Sequence, residues 1–310
     1  MKKIQILLSA YNGEKHIREQ LDSYTRLYNF DEVKVLIRDD GSTDSTPLIL
    51  KEYSDRYGFE VITGENVGLN ESFHILVQNR DRACEYFAFS DHDDCWLEDK
   101  LTRATSALEG RDTPTLYAAC SYITDESLNI VGKTFVPKKK LSFYNAMVQN
   151  VCVGHTQVIN ASLAELLERE YSSDIMVNDY WIYLLASAVG ECIYDSTPTT
   201  LYRQHATNEI GYSSSTLGKL KVRIGRVRSK KSVKNALQLR AFCECYGDLM
   251  SEEYKNEAER FFKKQRSFFT RLSYVFSSRA YRQTPIETLI FKTMYLFGRY
   301  NINKKPNNNI

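Results

Sequence analysis

The stretch "YFAFSDHDDCW", residues 86–96, decides how the chain is read, because an aromatic and apolar run passes without a spacer into three aspartates and a histidine. A short apolar run of this kind suits a buried strand. Asp91, Asp93 and Asp94 would then crowd like charges at the strand's carboxyl end, where a cation would offset their repulsion. Three earlier runs, Ile4 to Leu8, Val33 to Ile37 and Phe59 to Ile62, end in the polar clusters "SAYNGE", "RDDGSTD" and "TGENVG". Segments of helical period near 15–27, 47–57 and 71–79 separate these runs, with Thr46-Pro47 supplying a helix start. Strands alternating with helices predict an α/β unit with a mostly parallel sheet, in which ligands bind beyond the carboxyl ends of the strands. Polar clusters at four strand ends predict one shared ligand.

Downstream, "TLYAACSYIT" (115–124) predicts a further strand, and 142–149 and 161–169 predict helices. "NDYWIYLLASAVG" (178–190) has helical spacing with Asp179 in its first turn, and "TTLYRQH" (199–205) predicts a closing strand. Hydrophobic content of 43% and charged content of 26% suit a soluble globular chain, and no apolar run approaches the roughly 18 residues of a membrane span. The start "MKKIQILLSAYNG" is expected to be the first strand rather than a leader. Seven cysteines without a CxxC pair fit reduced thiols in a cytosol. Charge is uneven: after residue 216 there are 21 Lys+Arg against 7 Asp+Glu, and before it 20 against 32. An acidic body and a basic, aromatic tail predict a boundary near Ser213, with halves at 1–110 and 111–213 and a helical region at 214–310.

The ordered set "SAYNGE", "RDDGSTD", "ENVG" and "FSDHDDCWLEDKL" resembles the family 2 glycosyltransferases, enzymes of the GT-A fold that use nucleotide-activated sugars. The later "NDYWIYLLASAVGECIYDSTPTTLYRQHATNEIG" is similar to the acceptor half of bacterial surface-polysaccharide members, particularly rhamnosyltransferases, so the likeness covers about residues 1–210. It implies a nucleobase held by Ala10, Tyr11, Glu14 and Asp39, with Asn66 and Gly68 closing over the nucleotide. It places Asp91 near the ribose, Asp93 and His205 on a Mg2+ or Mn2+ ion at the diphosphate, and Arg203 on a phosphate. Asp179 becomes the base for the acceptor hydroxyl, with Gly154, His155 and Trp181 on the acceptor side. Residue chemistry leaves other readings beside these: "DDGSTD" also suits a turn and helix cap, Asp179 a helix N-terminus, and Asp94 a cap for "WLEDKL", while His92 is expected to be an ordinary polar residue.

The resemblance implies an inverting transfer from a dTDP- or UDP-sugar, dTDP-L-rhamnose first, to a lipid-linked glycan in cell-surface polysaccharide synthesis, on the cytoplasmic membrane face. A dehydrogenase would need GxGxxG after the first strand, which "SAYNGEKHI" lacks, and a dehalogenase-type phosphatase a Thr or Val after its Asp-x-Asp. A non-catalytic nucleotide-binding module is the remaining alternative. Processive relatives carry QxxRW, and Trp96 and Trp181 lie in no such motif. In the tail, "LGKLKVRIGRVRSKKSVKNALQLR" has nine basic residues and no acid, with Leu217, Leu220, Ile224 and Val227 on one helical stripe. That predicts contact with an anionic membrane surface, against the alternative of a packed helical subdomain. Nucleic acid is not an expected partner, because the body is acidic and no binding signature is present. Assembly into a homo-oligomer is left open.

Overall fold

The computed structural model describes residues 3–169, 178–204 and 231–302. Strands β1 (Ile4–Ala10), β2 (Val33–Asp39), β3 (Glu60–Thr63) and β4 (Tyr86–Ser90) pair in parallel in the order β3-β2-β1-β4. The sheet continues through β8 (Val158–Asn160), β6 (Thr115–Thr124), β9 (Glu191–Arg203) and β5 (Cys95–Trp96), and β7 (Ile130–Lys133) pairs with β6. β8 runs antiparallel to both β4 and β6, whereas β6 and β9 are parallel. In the β1–β2 register Ala10 faces Asp39, and in the β1–β4 register Leu8 faces Ser90. The loops after these three strands therefore begin side by side at one edge.

All seven β1 residues are buried, as expected of a strand covered on both faces. Alternate side chains point to opposite faces. Ile6 and Leu8 join Ile17, Leu21 and Leu101 on one side, under α1 (Ile17–Thr25), α2 (Thr46–Tyr57) and α4 (Lys100–Leu108). Leu7 faces Phe73, Phe87 and Leu184 on the other, under α3 (Leu69–Gln78) and α7 (Asn178–Val189). Pro47 opens α2, and Gly58, at φ 71°, ends it in the left-handed conformation that glycine adopts without a Cβ penalty.

Four further helices, Lys231–Tyr246, Glu252–Lys263, Phe268–Ser277 and Pro285–Leu296, extend the second core. Phe242 lies 5.6 Å from Trp181, and Tyr254 lies 5.0 Å from Phe143 of the one-turn helix α5 (Phe143–Ala146). Residues 231–302 are thus a helical unit packed on the α/β body. The stripe from Leu217 to Val227 lies outside the described residues.

Three short strands, β5, β7 and β8, carry too few residues to show an alternation and were not expected. β9 begins well before Thr199, because its first half, "ECIYDSTP", is interrupted by irregular register: Ala119 pairs with Asp195, but Cys120 pairs with Pro198. The extra residues bulge out of the ladder and break the period-2 pattern.

Candidate active site

The acidic turn after β4 has a front and a back. Asp91, His92 and Asp93 are partly exposed, while Asp94 is only 1% exposed. Ser90, fully buried, fixes the exit of the strand: its Oγ accepts from Tyr24 Oη at 2.6 Å and Gln20 Nε2 at 3.1 Å and donates to the Asp91 carbonyl at 2.9 Å. One oxygen of Asp91, one of Asp94 and a ring nitrogen of His155 lie within 4.8 Å of one another. Burial, then the charges of Asp93 and Asp179, push the Asp91 carboxyl up to about 7. Burial, then Asp93 and Asp91, push Asp94 well above the usual carboxylate range.

Beneath this turn sits Lys100, fully buried at the start of α4. Its Nζ donates to the His155 carbonyl at 2.6 Å and to Thr200 Oγ1 at 2.9 Å, and lies 4.2 Å from the centre of the Trp96 ring. Burial pulls the ammonium down to about 7 against the opposing pull of Asp94 and Asp91. Asp94 Oδ1 accepts from the Arg203 backbone N–H at 3.1 Å, and its buried Oδ2 makes no hydrogen bond and stands 3.7 Å from His155 Nδ1. Asp94 is thus a buried link to β9 rather than a helix cap. Lys100 was not singled out from the sequence, although it precedes the buried stripe Leu101, Ala104, Leu108, and a lysine next to such a stripe is a signal in itself.

A hard divalent cation fits the open side of this turn. Carboxylate oxygens are the ligands Mg2+ and Mn2+ prefer, and three mutually repelling carboxyls with one orphaned buried oxygen call for added positive charge. Lys100 serves the back of the cluster, which leaves Asp91 and Asp93 facing outward. His205 lies outside the described residues.

The nucleotide-side loops interlock. Asp40 is buried, and its carboxylate accepts from the N–H groups of Val67 at 3.0 Å and Gly68 at 2.9 Å and from Arg38 at 3.0 Å. The Asp40 side chain thus holds the 64–68 loop in place, with the Asp39 carbonyl accepting from Gly64 N–H at its start. Asp39 Oδ1 accepts from Ser42 N–H at 3.2 Å at the end of β2, level with Ala10, whose carbonyl accepts from Asp40 N–H. Glu14 accepts from Ser45 N–H at 2.9 Å while Asp44 accepts from Glu14 N–H at 3.0 Å, so the first loop is tied to the start of α2. Tyr11 stands half exposed and Asn66 exposed beside these loops. His92 is no bystander: a Cβ on Gly13 would lie 2.6 Å from its Cδ2, so the ring packs directly on the first loop.

On the other side, Asp179 of α7 is half-buried, and its Oδ2 accepts from Gly154 N–H at 3.0 Å. Gln157 Nε2 donates to both the Asp179 and Cys152 carbonyls at 2.9 Å, which holds α7 to the 152–157 turn. The Asp179 charge lies near enough to Asp91 to help push that carboxyl up.

Three expected ligand contacts are used otherwise. Trp181 is 2% exposed and packs on Phe242 and Tyr246, because two residues beyond Asp179 on a helix is about 200° of rotation, away from the cleft. His155, 1% exposed, bonds through Nε2 to Ser121 Oγ at 2.8 Å and stacks on Tyr202 at 4.5 Å, and burial pulls its imidazole down to about 3. It supports the acidic turn from below instead of facing an acceptor. Arg203, also buried, commits its guanidinium to the Asp93 carbonyl at 2.9 Å, the Glu126 carbonyl and the Glu19 carboxylate, in place of a phosphate.

A family model for glycosyl transferase family 2 matches residues 5–167. The chain belongs to the family 2 glycosyltransferases. It is 31% identical over 237 residues to the dTDP-rhamnosyl transferase RfbG of Shigella flexneri, covering 72% of this chain and 80% of that one. It is 27% identical over 187 residues to the UDP-Glc:alpha-D-GlcNAc-diphosphoundecaprenol beta-1,3-glucosyltransferase WfgD of Escherichia coli, covering 58% and 68%. Among solved structures, S. aureus TarS 1-349 in complex with UDP-GlcNAc superposes with TM-score 0.57 at 16% identity, over 89% of this chain and 76% of that one. The mannosyltransferase PcManGT of Pyrobaculum calidifontis, in complex with GDP-Man and Mn2+, superposes with TM-score 0.54 at 15% identity, over 96% and 85%. The fold of this family 2 glycosyltransferase is GT-A, with a C-terminal helical region.

Proposed function

We propose that this glycosyltransferase moves L-rhamnose from dTDP-L-rhamnose, with inversion, onto a lipid-linked glycan during bacterial surface-polysaccharide synthesis. The observation that supports the reading is Asp179 in the first turn of α7, held by Gly154 N–H, with its charge acting on Asp91 of the acidic turn. The donor lies over the ends of β1, β2 and β4, where Tyr11 offers a ring to the base and Asp39 a carboxylate to a pyrimidine N3–H. The ribose falls at Asp91 and the diphosphate at Asp93. Asp93 and Asp91 would hold a Mg2+ or Mn2+ ion, which would supply positive charge to the departing diphosphate. Asp179 takes the proton of the acceptor hydroxyl as the new bond to the sugar carbon forms and the bond to diphosphate breaks on the opposite face. Gly154 N–H holds the carboxylate in one rotamer for that task.

Likeness to RfbG supports rhamnose, while likeness to WfgD supports a second reading, transfer from a UDP-hexose. The lipid-linked acceptor draws on the same relatives, and among the described residues no helix is long and apolar enough to cross a membrane. Incubating the protein with lipid-linked glycan acceptor and, in turn, dTDP-L-rhamnose, UDP-glucose, UDP-galactose and UDP-N-acetylglucosamine, with Mn2+ or with chelator, tests the reading. Nucleoside diphosphate released from the dTDP-sugar alone, and only with metal, is the expected result. Release only from a UDP-sugar favours the second reading, and release from none overturns both.

A further inference from the structure

Helices Phe268–Ser277 and Pro285–Leu296 are apolar on two sides. Inwardly, Tyr274 and Tyr295 meet at 4.4 Å, and each packs on Phe261, at 5.9 and 5.2 Å. At about 100° per residue, Phe269 and Phe276 fall opposite Tyr274, and Ile286 and Phe297 fall opposite Tyr295. Those outward residues are left to solvent: Phe269 is 79% exposed, Phe276 81%, Phe297 66% and Leu289 66%. Isolated exposed apolar residues are ordinary, but so many on two neighbouring helices mark a surface that something covers. Charge says what kind of surface. From Lys263 to Arg299 the sequence holds eight Lys and Arg and a single acid, Glu287, and although Lys263 pairs with Glu259, Arg279 with Glu253 and Arg271 bonds backbone carbonyls, the segment keeps a net positive charge. A second copy of the same face would bring like charges together, whereas lipid phosphates oppose them.

We propose that these two helices dock the enzyme on an anionic bilayer, with phenylalanines entering the boundary between headgroups and acyl chains and the surrounding cations meeting lipid phosphate. Aromatic and aliphatic residues ringed by Lys and Arg are the composition of an interfacial helix. The inference deepens the reading of the acceptor as lipid-linked: a docked helical unit keeps the cleft near a substrate confined to the membrane. It stands beside the expectation for the Leu217–Val227 stripe, which lies outside the described residues.

Cosedimentation of the full chain with phosphatidylcholine vesicles, with and without phosphatidylglycerol, tests it without requiring transfer. The parent is expected to bind the anionic vesicles at least tenfold more tightly than the neutral ones, and added salt should weaken that binding. Phe269→Ser with Phe276→Ser, Ile286→Ser with Leu289→Ser, and Lys264→Glu with Arg266→Glu form three separate arms. At least one apolar pair and the charge pair should each weaken binding tenfold, with the unfolding midpoint unchanged. A parent that ignores anionic vesicles, variants that bind as well as the parent, or a parent dimer that the Phe pair converts to monomer without any vesicle effect would each overturn the proposal. Vesicle binding without nucleoside diphosphate release from any donor would fault the transferase reading and leave this surface standing.

Discussion

Lys100 Nζ donates to the His155 carbonyl at 2.6 Å, directly beneath a turn of three aspartates. That bond joins the donor side of the cleft to the acceptor side, since His155 follows Gly154, whose N–H holds Asp179. Replacing Lys100 by Met keeps the length and removes the charge. The buried His155 carbonyl and Thr200 Oγ1 would both lose their donor. Leaving a buried acceptor unpaired costs about 1–3 kcal/mol, so the urea midpoint of Lys100→Met should fall substantially. An unchanged midpoint would show that the ammonium is dispensable.

Gly13→Ala should act on the donor through His92. The new Cβ would lie 2.6 Å from the ring, closer than van der Waals contact permits, so the imidazole must give way and its packing on the first loop is lost. Overpacking of this kind costs about 1–3 kcal/mol. Titrating nucleoside diphosphate should show roughly tenfold weaker binding for the variant, and the pair Gly13→Ala with His92→Ala should recover most of it. Failure of the second substitution to restore affinity would place the effect in the loop backbone instead.

Asp91 should make a pH-dependent contribution to metal-free stability that is lost toward neutral pH. Asp91 titrates at about 7 in the folded chain against an ordinary value of 3.8, so the folded state holds the extra proton between those limits. Its contribution is complete below about pH 4 and is lost as pH rises to about 7. Lys100 moves the other way, from 10.5 down to about 7, so the unfolded chain holds the extra proton above 7 and stability recovers as pH climbs further. His155, pulled down to about 3, acts in the opposite sense over the same interval, so the Asp91 contribution is read against Asp91→Asn. In chelator the parent's midpoint should lose ground to that of Asp91→Asn from about pH 5 to about pH 7, and Mn2+, which binds the ionised carboxylates, should flatten that loss. A difference that stays constant over the interval would contradict the burial of charge described for Asp91.

Much of the fold could be read from residues 1–90, because β1, β2 and β4 are apolar runs closed by turn-formers, and each is long enough to show its type. β8 could not, since Val158–Asn160 is three residues placed between β4 and β6 by pairing alone. In the site, Asp91, Asp93 and Asp179 were legible as carboxylates at a strand end and a helix start. Lys100 and Asp40 were missed because their roles are internal: one neutralises charge from beneath, the other fastens a loop. Arg203 and Trp181 were assigned to ligands on chemistry that also suits burial, and only the packing of Glu19 and Phe242 against them decides between the two.

The most direct measurement of the central claim is Asp179→Asn, assayed for both donor affinity and transfer. Gly154 N–H can still bond an amide oxygen, so the local geometry should persist while the proton acceptor is lost. Transfer is expected to fall by about 10²-fold or more, the usual worth of a general base, with the dissociation constant for the nucleotide-sugar unchanged. Transfer at the parent's rate, or a donor affinity that collapses together with transfer, would contradict the account and return Asp179 to a structural role at the start of α7.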